Sequence, residues 1–133
     1  MIFFLDTNIC IYLLKGRYPN IAEVMRGLSP TTIKIPAIVA AELYYGAERS
    51  SNVKKALGIV KKFLEPFELV AFCTKAAIES STIRVLLEKE GRIIGPYDIL
   101  IAATALLHGG TLVTRNTKEF NRVPGLRVVD WTL

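Results

Sequence analysis

Histidine and cysteine are nearly missing from this sequence, which holds one His (His108) and two Cys (Cys10 and Cys73). Soft ligands this sparse exclude a structural or catalytic zinc site. Both cysteines follow apolar residues, Ile9 and Phe72, and are expected as buried thiols in a reducing, cytoplasmic compartment. There is no glycine-rich phosphate loop followed by a lysine, and no repeat or low-complexity tract is visible. The apolar opening Ile2–Leu5 has no basic region before it, so no signal peptide is expected. The longest apolar stretch, Ile93 to Val113, is broken by Pro96, Asp98 and His108, which makes it a core segment and not a membrane span.

What is present is an apolar, moderately basic chain. Its 133 residues are 51% hydrophobic and 22% charged, as expected of one globular domain spanning 1–133. The formal net charge is +5. A basic surface fits a polyanionic partner such as nucleic acid, and also fits simple solubility.

Against that background several acids stand in costly places. Asp6 follows Ile2-Phe3-Phe4-Leu5, Glu42 is embedded in Ile38-Val39-Ala40-Ala41-Glu42-Leu43, and Asp98 interrupts the apolar run around Ile99-Leu100-Ile101. Asn116 and Glu119 come just after Thr111-Leu112-Val113-Thr114. Carboxylates are rarely buried unless paired or bound to a metal. Each has a plain alternative: Asp6 as a helix cap, Glu42 as a face residue paired with Lys34 or Arg49, Asp98 as a first-turn acid favoured by the helix dipole. Together they suggest one acidic site that a divalent cation makes tolerable.

The pattern alternates short apolar strands with helices. Strands are expected at Ile2–Leu5, Lys34–Ile35, Phe67–Val70, Thr111–Val113 and Leu126–Val129. Helices are expected at Thr7–Lys15, Asn20–Leu28, Pro36–Glu48, Val53–Leu64, Thr74–Glu90 (capped by Thr74), Pro96–Leu107 and Thr117–Phe120. Such alternation implies a three-layer α/β/α fold around a short-stranded parallel sheet. Ligands bind at the carboxyl ends of such strands. Asp6 ends the first strand and Asn116 and Glu119 follow the fourth, so distant positions can converge on one edge.

Hard carboxylate oxygens suit Mg²⁺ or Mn²⁺, which keep several waters and take one or two carboxylates plus phosphate oxygens. Metal-activated water needs no Ser, Cys or His nucleophile. A phosphoaspartate phosphatase needs a second Asp at position 8, which is Asn8. A receiver domain needs a lysine after a late strand, where Thr114-Arg115-Asn116 stands. Arg115, Lys118 and Arg17 are candidate nucleic-acid contacts. Tyr44 and Tyr45 are candidates for base stacking or for packing.

These residues resemble the PIN domain family, and within it the VapC-type toxins of VapBC toxin–antitoxin pairs. Asp6-Thr7-Asn8 looks like the first motif and Ala41-Glu42-Leu43 the second. Gly95, Asp98 and Ile101-Ala102-Ala103 look like the third, and Thr114 to Phe120 with Pro124-Gly125-Leu126 the closing one. The resemblance implies a Mg²⁺- or Mn²⁺-dependent endoribonuclease acting on structured RNA such as tRNA or rRNA. Asp6, Glu42 and Asp98 are then the metal-site acids, Thr7 and Thr114 support them, and Asn116 and Glu119 share the fourth position. The implied partners are a VapB-type antitoxin and a second copy of the chain, with Tyr44-Tyr45 and Asn20–Leu28 as interface candidates. Two rivals stay open: a non-catalytic RNA-binding module, suggested by Asn116 in place of an acid, and a DNA-directed nuclease.

Overall fold

The computed structural model describes residues 1–133. Five strands form one parallel sheet: β1 (Phe3–Leu5), β2 (Ile33–Pro36), β3 (Glu68–Val70), β4 (Thr111–Val113) and β5 (Arg127–Val129), in the order β3-β2-β1-β4-β5. Seven helices connect them: α1 (Thr7–Lys15), α2 (Pro19–Arg26), α3 (Ala37–Glu48), α4 (Val53–Leu64), α5 (Thr74–Lys89), α6 (Pro96–Leu107) and α7 (Thr117–Phe120).

The order explains the architecture. From β1 the chain steps outward to β2 and β3, then jumps back across β1 to β4 and β5. Parallel crossovers are right-handed, so a reversal of direction places the two sets of helices on opposite faces. The packing agrees: α1 lies on α3 and α3 on α4, while α5 lies on α6. Burial from both sides explains why β1 and β4 read as unbroken apolar runs. Phe4, Leu5, Leu112 and Val113 are fully buried at the centre of the core.

The reversal also creates a crevice between β1 and β4. Leu5 pairs with Val113 in register, and the Asp6 N–H donates to the Val113 carbonyl at 3.1 Å. The two strands therefore end level, and residues 6 and 114 leave the sheet side by side.

Several helix boundaries follow the sequence because their signals are local. Asp6 Oδ1 accepts from the Ile9 N–H at 2.9 Å and caps α1, which Gly16 ends in the left-handed region (φ 65°). Asn52 caps α4 through the Lys55 N–H. Other expectations are corrected. Pro36 is the last residue of β2 and the N-cap of α3, not its first residue. Thr74 is the first residue of α5, with Cys73 at the N-cap and no side-chain cap bond. A 3-10 turn at Pro30–Thr32 precedes β2 and was not expected. Cys73 is exposed, not buried; it follows β3, an edge strand with no neighbour to cover what comes after it.

Gly110 enters β4 directly against the Phe4 ring. A Cβ placed there would stand 2.5 Å from two ring carbons and 3.3 Å from the Ile2 carbonyl oxygen. Phe4 is fully buried and has nowhere to move. Gly110→Ala is expected to destabilise by about 1–3 kcal/mol through overpacking, as read by urea unfolding; an unchanged midpoint refutes it.

Candidate active site

Two aspartates anchor the crevice from different parts of the chain. Asp6 sits at the end of β1 and is 5% exposed. Burial of its carboxylate raises its pKa from 3.8 to about 6, against the lowering effect of hydrogen bonds from the Thr114 hydroxyl and the Ile9 N–H. The charges of Asp98 and Glu42 push it up further. Asp98 lies in the first turn of α6, half-buried. Its pKa is also raised to about 6, first by burial and then by the charges of Glu42 and Glu119. Gly95 lets this carboxylate fold back over the helix start, since a Cβ there would stand 3.3 Å from Asp98 Oδ2.

Two threonines hold acids in place. Thr7 Oγ1 donates to Glu42 Oε1 at 2.6 Å, joining α1 to α3. Thr114 is fully buried; its hydroxyl accepts from the Asn116 N–H at 3.0 Å and lies near enough to Asp6 to draw its pKa down. The cations that the plain alternative paired with Glu42 are engaged elsewhere. Lys34 pairs with Glu68 at 3.0 Å, and Arg49 lies over the Tyr45 ring at 5.5 Å. Asn116 is the N-cap residue of α7, but its side chain makes no cap hydrogen bond. Glu119, in the same short helix, is half-buried and close enough to act on Asp98.

The crevice therefore gathers Asp6, Glu42, Asp98 and Glu119 with Thr7, Thr114 and Asn116. In the arrangement seen, no three acidic, His or Cys side chains close on a single ion position. That donor set still suits Mg²⁺ or Mn²⁺, which keep most of their waters and bind through one or two carboxylates rather than an all-protein cage. Buried Asp6 and half-buried Asp98 lack a cationic partner within the chain, and a divalent cation is the natural counter-charge for them.

Of the basic candidates, Arg115 lies over the Tyr18 ring at 4.9 Å, beside the crevice. Arg17 and Lys118 are exposed. Arg122, a basic residue close by in sequence, donates to the Ile93 carbonyl at 3.2 Å. One participant escaped sequence reasoning, and another, Gly95, was placed there only by the motif resemblance, without its contact to Asp98. The first, Tyr18, had no signal, because its positive φ of 50° is set by the loop it occupies.

A PIN domain profile matches residues 3–126. The chain belongs to the PIN domain family. Within this family it is similar to the tRNA(fMet)-specific endonuclease VapC of Salmonella typhimurium, at 40% identity over 129 residues and 97% of each chain. It is 39% identical to Ribonuclease VapC2 of Rickettsia felis over 134 residues, 98% of each chain. VapBC2 from Rickettsia felis, in a crystal structure with a DNA fragment from its promoter, has the same PIN fold with a TM-score of 0.91. That match is 37% identical and covers 98% of this chain and 99% of the other. This PIN domain is of the VapC type.

Thr114 separates PIN-site electrostatics from packing. Thr114→Val keeps the volume but removes the hydroxyl from a buried carboxylate and from the Asn116 N–H. It is expected to cost about 1–3 kcal/mol and to raise the Asp6 pKa further, since the lost hydrogen bond favoured the charged form. Urea unfolding in EDTA and a carboxyl titration by NMR check both; a lowered Asp6 pKa refutes the assignment.

Proposed function

We propose that this chain is the toxin of a toxin–antitoxin pair, an endoribonuclease that hydrolyses phosphodiesters in structured RNA with Mg²⁺ or Mn²⁺. The observation that carries the proposal is the convergence of Asp6 and Asp98, each with its pKa raised to about 6 by burial and by neighbouring acids, in a chain of formal charge +5. Two carboxylates held charged at a cost inside a basic protein suit a cation and a polyanion together.

Asp6 and Asp98 would hold the ion, directly or through water, with Glu42 completing the pocket in the orientation Thr7 fixes. When bound, the ion supplies a water of lowered pKa and a counter-charge for the phosphate oxygens. Thr114 favours the charged form of Asp6. Asn116 can orient a water or ligate through its carbonyl, and Glu119 sets the charge beside Asp98. The similarity to nucleases named for tRNA(fMet) and for RNA supports RNA as substrate, with tRNA the first to try.

The partner is a VapB-type antitoxin, supported by the similarity to VapBC complexes. A groove of about 370 Å³ between α1, α3 and α4 is lined by Ile11, Leu14, Leu43, Ile59 and Val60 and reaches Glu42. An amphipathic segment lying in it would end at the acids. The chain acts in the cytoplasm as a homodimer, with larger assemblies formed on the antitoxin. No helix is long and apolar enough to cross a membrane.

The test is cleavage of total bacterial RNA by antitoxin-free protein with Mg²⁺ or Mn²⁺, with EDTA, and with added single-stranded DNA as a rival substrate. Discrete RNA fragments that vanish in EDTA are expected. A folded, metal-saturated chain that leaves all RNA intact overturns the proposal and favours a binding module.

A further inference from the structure

We propose that Arg115, held by Tyr18, is a phosphate-positioning residue that grips an RNA phosphate adjacent to the one cleaved; this rests on the ribonuclease function proposed above. Arg115 directly follows Thr114, so its backbone is fixed by the end of β4 and by the bond from the Asn116 N–H to the Thr114 hydroxyl. Its guanidinium lies over the Tyr18 ring, 4.9 Å from the centroid. Tyr18 in turn meets Tyr12 edge-on at 4.8 Å. A tyrosine at φ 50° is strained, and strain of this kind gathers at functional sites. What the strained backbone presents here is the ring beneath Arg115.

Asn8, Tyr12, Arg115 and Asn116 line an open cavity of about 420 Å³. Asn8 stands two residues after Asp6, and Asn116 two after Thr114, so the cavity adjoins the acids along the same sheet edge. Its chemistry is opposite to theirs. A guanidinium, two carboxamides and a phenol offer hydrogen-bond donors with no carboxylate among them, which suits an anion and not a cation. Arg115 is in no ion pair of the chain. Held over a ring by a cation–π contact, a guanidinium keeps N–H donors free for contact with phosphate. The carboxamides, donor and acceptor at once, match a ribose 2′-hydroxyl.

The test uses unfractionated bacterial tRNA. Binding is measured across a salt series with every variant carried on an Asp6→Asn background, and cleavage with Asp6 intact. Arg115→Ala is expected to weaken binding roughly tenfold, the worth of one charge-assisted contact, and to lower the slope of log K against log salt by about one. KM should rise in step, with kcat little changed. Arg115→Lys restores the slope but not the full affinity. Tyr18→Phe behaves as the parent, whereas Tyr18→Leu loses affinity with the slope kept. Melting curves confirm that each variant folds. Wild-type cleavage with Arg115→Ala unchanged in slope and KM overturns this subsite alone. A parent that neither binds nor cleaves tRNA or total RNA overturns the ribonuclease function and the subsite with it.

Discussion

Asp6→Asn is expected to lose RNA cleavage by roughly 10²–10³-fold and, in EDTA at pH 7, to be more stable than the wild type. The two effects share one cause. With its pKa raised from 3.8 to about 6, the folded protein holds a charged Asp6 at pH 7 against a penalty of about 3 kcal/mol, at 1.36 kcal/mol per unit. Asparagine is isosteric, keeps the cap to the Ile9 N–H and carries no charge. A gain of about 1–3 kcal/mol follows. Thr114→Val, which acts on the same carboxylate, moves stability the other way. Single-turnover cleavage and urea unfolding give the two numbers; full cleavage by Asp6→Asn, or a variant less stable than its parent without metal, would falsify the assignment.

The metal-free chain is expected to lose stability from these acids as pH rises from about 4 to about 6. Asp6 and Asp98 have folded pKa values of about 6 against 3.8. Between those values the native state binds more protons than the unfolded one, so unfolding free energy falls with pH. The favourable contribution is complete below pH 4 and gone above about 6. Asp6 accounts for about 3 kcal/mol of it, and half-exposed Asp98 for less because solvent screens it. Saturating Mg²⁺ or Mn²⁺ favours the ionised acids and should offset the loss, by about 2.7 kcal/mol at a hundred times Kd. The quantity to measure is the difference in unfolding free energy between wild type and the Asp6→Asn/Asp98→Asn double variant. That difference should grow from pH 4 to 6 in EDTA and shrink or reverse with metal. A difference that is flat with pH and indifferent to metal removes the cation from the account.

How far the sequence reached depended on whether the deciding interaction was local. The bounds of α1, α4, α6, α7 and β4 are those expected from sequence, because apolar periodicity, an Asp or Asn cap and a closing glycine act within one turn. Expected boundaries slipped at Pro36, which closes β2 and caps α3, and at α2, which runs Pro19–Arg26 and not Asn20–Leu28, while at Thr74 the helix start held and only the cap moved, to Cys73. The cost of Asp6 and Asp98 was visible because apolar neighbours make a carboxylate expensive wherever the chain folds. With Glu42, their order and spacing carried the PIN domain resemblance before any geometry was known.

The sequence by itself determined the α/β alternation, the acids and the family. The tertiary structure decided which of them meet. The strand order β3-β2-β1-β4-β5 sets Asp6 beside Thr114, and helix packing brings Thr7 to Glu42 across 35 positions. It also decided that Lys34 turns to Glu68 instead of Glu42, that Cys73 is exposed, and that Tyr18 bends into positive φ beneath Arg115. The reason is the same in each case. Burial, pKa and partner choice depend on groups far away in sequence, and local propensity carries no record of them.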